Sequence, residues 1–95
     1  MKIREFMALV EASATVKIKY TEIINYETGR MTRDRKTLRV PPAGIDAEKF
    51  AIYPFDSKEE IYNIDISMID VGSDDEGEEV IFLDTHHIIN KYKKY

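Results

Sequence analysis

The chain has 95 residues, enough for one domain with a modest core that folds without covalent staples. It is 43% hydrophobic and 34% charged, which is a globular composition, and it holds no cysteine, so disulfides, thiolate metal sites and cysteine nucleophiles are excluded. The net charge of −4 hides an asymmetry: residues 1–40 carry nine Lys/Arg against five Asp/Glu, residues 41–90 carry two against thirteen, and the last five residues add three lysines.

Residues 2–12, KIREFMALVEA, place Ile3, Phe6, Met7 and Val10 at the spacing of an amphipathic helix, among good helix formers. Glu5 stands where an export signal needs its apolar core, so no signal is read there. The period then changes. Val16, Ile18 and Tyr20 alternate with Lys17 and Lys19, which predicts a half-buried strand over residues 15–26. ETGR, residues 27–30, is a turn signal, with Gly29 free to take positive φ. A second strand follows over residues 31–40, poor in large apolar side chains and suited to a sheet edge, and PPAG ends it.

Asp46 is a candidate cap for a short helix over residues 47–53, with Phe50 as its anchor, Ile45 packing from outside and Pro54 as its stop. Ser57 and Glu60 have the spacing of a capping box and predict one helical turn. IYNIDISMIDV, residues 61–71, alternates Tyr62, Ile64, Ile66 and Met68 against Asn63, Asp65 and Ser67, and reads as a strand throughout. EVIFLD returns as its partner after the acidic stretch DVGSDDEGEEV. The last segment, THHIINKYKKY over residues 85–95, reads as a short helix capped by Thr85 or as a loose basic tail. The predicted fold is therefore a single α+β domain: an N-terminal helix, two antiparallel hairpins forming one four-stranded antiparallel sheet, and short helices between and after them.

Two charged stretches are the candidate sites. Residues 70–80 hold Asp70, Asp74, Asp75, Glu76, Glu78 and Glu79 and no basic residue. They fail as a calcium loop: with Gly77 at the glycine position, Gly72 and Leu83 fall where the first and last ligands belong. A hairpin turn remains, and its six mutually repelling carboxylates are suited to a basic surface on a partner protein. RMTRDRKTLR offers Arg30, Arg33, Arg35, Lys36 and Arg39, residue types suited to phosphate contacts, but neither a stacking motif nor a recognition helix accompanies them. A charge-blunted edge strand explains the same residues. Folding also brings the two halves together, so the acidic and basic stretches are expected to compensate in part.

His86 and His87 are adjacent and diverge on either a strand or a helix, so no metal site is expected, and no cofactor is called for. The serines at 13, 57 and 67 lack a nucleophile context, and Asp65 falls on the polar face of its predicted strand. No catalytic residue is therefore assigned, and a non-enzyme is expected. No run of about 18 apolar residues is present to cross a membrane. With the absence of cysteine, this points to the cytoplasm.

Taken together, the N-terminal KIREFMALV, the hairpin TVKIKYTEIINYETGR and the closing IYNIDISMIDVGSDDEGEEVIFLD resemble small accessory proteins of phages and mobile elements in Gram-positive bacteria. Members of that broad class include anti-CRISPR proteins and other inhibitors of bacterial defence enzymes, several of which place acidic surfaces in sites meant for nucleic acid. The resemblance implies a non-enzymatic inhibitor of a host nucleic-acid-binding protein, acting in the bacterial cytoplasm. The arginine-rich strand departs from an overall nucleic-acid mimic. It keeps a phosphate-binding accessory protein, or a structural or assembly protein, as alternatives.

Overall fold

The computed structural model describes residues 1–10, 14–25, 31–41, 44–46 and 50–90. Two short helices and four strands appear in the order α1 (Ile3–Met7), β1 (Thr15–Asn25), β2 (Met31–Val40), α2 (Lys58–Tyr62), β3 (Ile66–Ser73) and β4 (Glu79–Asn90). The strands form one sheet in the order β2-β1-β4-β3. The pairs β1/β2 and β3/β4 are antiparallel, but β1 and β4 meet in parallel. The sheet is thus mixed, not the antiparallel one expected. The cause lies in the centre: β1 and β4 carry the most apolar alternation and take the two interior positions, where buried strands belong. The path from β2 through α2 to β3 then brings β4 back beside β1 in the same direction.

Side chains paired across the ladders share a face. Val16, Ile18 and Tyr20 on β1, Leu38 and Val40 on β2, and Leu83 on β4 form the covered face, against Ile3, Ile45, Phe55, Ile61 and Ile64. Fully burying a side chain such as Ile18 or Leu83 stabilises the fold by about 2 kcal/mol. The other face, presented by Lys17, Lys19, Arg35, Arg39, Phe82 and Asp84, is the charged one.

Three further expectations change. The strand predicted over residues 61–71 starts only at Ile66. The Ser57 hydroxyl accepts from the Glu60 N–H at 3.1 Å, and the helix it caps runs on through Tyr62. A register shift between Ile66 and Met68 then reverses the parity, so Met68 does not join Ile64 in the core. Residues 85–90, expected as a helix or loose tail, instead continue β4, whose pairing with β1 reaches Asn90. Thr85 is no cap: it is fully buried and its hydroxyl donates to the Lys19 carbonyl at 2.6 Å. Residues 50–52 are not helical; in the helix expected over 47–53, the part at 47–49 lies outside the described residues. Tyr53 precedes Pro54, which disfavours the helical conformation there. Phe55, just after, is the buried anchor of this stretch. The turn at 27–30, and the tail at 91–95, also lie outside the described residues.

Candidate functional site

The acidic stretch divides into β3 end, turn and β4 start. The Asp74 N–H donates to the Glu78 carbonyl at 3.0 Å, and the Gly77 N–H donates to the Asp74 carbonyl at 3.0 Å. Gly77 has φ of 80°, where a side chain is strained. Asp74 Oδ1 accepts from the Glu76 N–H at 3.0 Å and the Glu78 N–H at 2.8 Å. This carboxylate builds the turn, in the manner of an aspartate that holds its own backbone. Asp70 Oδ1 likewise accepts from the Val71 N–H at 2.9 Å. Glu78 accepts from the Thr15 hydroxyl at 3.1 Å and lies 3.7 Å from the Arg39 guanidinium. Three carboxylates remain. Asp75, Glu76 and Glu79 are exposed and, among the described residues, make no side-chain hydrogen bond or ion pair.

Two of the four described basic residues of β2 are engaged within the molecule. Arg35 reaches from β2 across β1 to β4: Nη1 donates to Thr21 Oγ1 at 2.9 Å and to the Thr85 carbonyl at 3.2 Å, and Nη2 pairs with Asp84. Arg39 faces Glu78. Lys17 and Arg39 share a surface depression with Asp74, Asp75, Glu76 and Glu78, so acidic turn and basic strand meet on one face. Lys19 stands over the Phe82 ring, 5.1 Å from its centroid. Arg33 and Lys36 are exposed without an ion pair among the described residues, but their odd and even positions put them on opposite faces. Arg30 lies outside the described residues.

No family model, curated protein or solved structure matches the chain.

A second surface depression is not marked in the sequence. The strand bulges place Asn63, Asp65, Ser67, His86 and His87 around it. The His87 ring stacks on Phe55 with centroids 5.7 Å apart, and its Nε2 lies 4.0 Å from Glu60 without a hydrogen bond. The Ser67 hydroxyl donates to the Asp84 carbonyl at 3.0 Å, so Ser67 is not held by a histidine base. Among the described residues no three His, Cys, Asp or Glu side chains converge on a common metal position. No sequence pattern marks this depression, because it exists only where two bulges face each other. Two tyrosines are perturbed. Burial, then the charges of Glu22 and Tyr53, raise the Tyr20 pKa above its usual 10.0. Burial, then a hydrogen bond to Asp46, raise that of Tyr62 above the same value, with Arg4 opposing.

Proposed function

We propose that the chain is a non-enzymatic protein-binding module that presents Asp75, Glu76 and Glu79 to a basic surface on a partner. The observation carrying this reading is the clustering of free charge. These three carboxylates stand around one turn, exposed and unpaired among the described residues, while Arg35 pairs with Asp84, Arg39 faces Glu78, and the unpaired Arg33 and Lys36 lie on opposite faces. A basic surface that otherwise holds nucleic acid is the complementary target. We infer an inhibitor of a host nucleic-acid-binding protein, carried by a phage or mobile element and acting in the cytoplasm. The phosphate-binding alternative is left with Arg33 and Lys36, which diverge, and with a net charge that repels nucleic acid. No helix among the described residues is long and apolar enough to cross a membrane.

The test is capture from bacterial lysate after nuclease treatment, using the native chain and a D75K/E76K/E79K variant. This variant spares Asp74, which the turn needs. A protein partner that survives nuclease, is lost by the variant and dissociates as salt rises is the expected result. Equal capture by the variant sinks the acidic-turn mechanism. A partner set that vanishes with nuclease shifts the weight to the basic strand.

A further inference from the structure

The two edges of the sheet differ. The β2 edge is lined with Arg33, Arg35, Lys36 and Arg39, a common defence against unwanted pairing. Past its bulge, β3 has neither lysine nor proline. Its hydrogen-bonding phase follows from the turn. The Asp74 N–H bonds to the Glu78 carbonyl, and the register runs unbroken from Ile69/Leu83 to Ser73/Glu79. Alternation then directs the N–H and C=O of Ile69, Val71 and Ser73 away from β4. The Val71 N–H agrees, being met from outside the ladder by Asp70 Oδ1 at 2.9 Å.

The chain itself uses this edge just upstream. The Ile3 N–H donates to the Ile64 carbonyl at 2.9 Å and the Ile66 N–H donates to the Met1 carbonyl at 2.8 Å, antiparallel across the Lys2/Asp65 bridge. Among the described residues this pairing extends only to Ile66, which faces Met1, while α1 departs from Ile3 at the Ile64 end. Beyond Ile66, Ile69 and Val71 are 47% and 59% exposed on the covered-face side, while Met68, 61% exposed, and Asp70 occupy the other.

We infer that the open edge of β3, from Met68 to Ser73, takes an extended segment of a partner protein as an added strand, and that this segment alternates apolar and basic side chains. Its apolar side chains would lie beside Ile69 and Val71. Its basic ones would lie beside Asp70 and run toward Asp75, Glu76 and Glu79 at the strand's end. A second copy of this chain offers the same acidic edge, like charge against like, so the complementary occupant is a foreign chain. The inference rests on the function proposed above and adds how the partner is held.

The probe is a synthetic peptide of roughly six residues alternating Val and Lys, the usual length of a strand. An alternating Val/Glu peptide and oligolysine serve as controls. Expected is slowed hydrogen exchange at the Ile69, Val71 and Ser73 amides with Val/Lys alone. Val71→Pro should weaken binding about tenfold or more, because proline removes an outward donor but no ladder bond. Should that variant fail to fold, Ile69→Arg at the exposed edge repels the same peptide and should weaken it likewise. Unchanged exchange at those amides, or unchanged binding by a folded edge variant, overturns the inference. If D75K/E76K/E79K weakens binding while the edge variants do not, strand addition fails and the acidic turn stands. If Val/Lys does not bind, or no edge variant matters, strand addition fails, and capture from lysate alone decides the acidic turn.

Discussion

Arg35 was legible as one of three arginines sharing a strand face with Arg33 and Arg39, and the structure keeps that parity. What the sequence could not show is Asp84, 49 positions away, which claims the guanidinium. A side chain read as a phosphate contact is therefore a tie across three strands. Both partners are roughly half exposed, so screening limits the gain. Arg35→Ala should cost about 1 kcal/mol in urea unfolding, and Arg39→Ala, whose partner is more distant, less. Thr85 is the harsher position. Replacing it with valine keeps the shape but strands the Lys19 carbonyl in the sheet, for about 2 kcal/mol by the same measurement. The raised phenols give a pH dependence of definite sign. Folded Tyr20 and Tyr62 hold their protons more tightly than unfolded chain does, so stability is intact below pH 10.0 and falls as pH rises through their folded pKa values. Tyr62→Phe should flatten that alkaline decline in a series of thermal melts. An unchanged slope would assign the loss to other groups.

Among the elements, β1 was the most legible, because Val16, Ile18 and Tyr20 bury as their alternation demands. The β3 region was the least. Its apolar alternation is real from Tyr62 to Met68, but a capped helix claims the first residue and a bulge reverses the last. Periodicity counts residues and cannot count an inserted one. The helix expected after residue 85 failed for a related reason: Thr85, a good cap by type, is also β-branched and fits the buried centre of a sheet. The acidic turn was legible as a turn, though not its internal division of labour. Gly77→Ala, at positive φ, should lower stability by about 1 kcal/mol. Asp74→Ala should free the Glu76 and Glu78 amides, seen as faster hydrogen exchange at both. Slow exchange in that variant would show the turn closing without its carboxylate.

For the molecule as a whole, the split of basic first half and acidic second half resolves into neighbouring charges on one sheet face. The pairs Arg35–Asp84 and Arg39–Glu78 each join the two halves. Partial compensation is thus built in, while Asp75, Glu76 and Glu79 around the turn stay exposed and unpaired among the described residues. Stability should consequently respond to salt less than partner binding does, because the short internal pairs are screened less than the approach of a separate basic surface. Parallel titrations of urea unfolding and partner capture against salt would check this.

The parallel seam between β1 and β4 also sets an order in time. On the ribosome, β1 and β2 emerge together and can pair at once, but the other side of β1 has no neighbour until residues 79–90 follow. Until then the apolar face of Val16 and Ile18 lacks Ile81 and Leu83, and the Thr85 hydroxyl that caps the Lys19 carbonyl has not been made. The nascent chain is thus committed late. Until the last strand enters the middle of the sheet, the inner side of β1 stays open, and the charges along β2 guard only the outer edge.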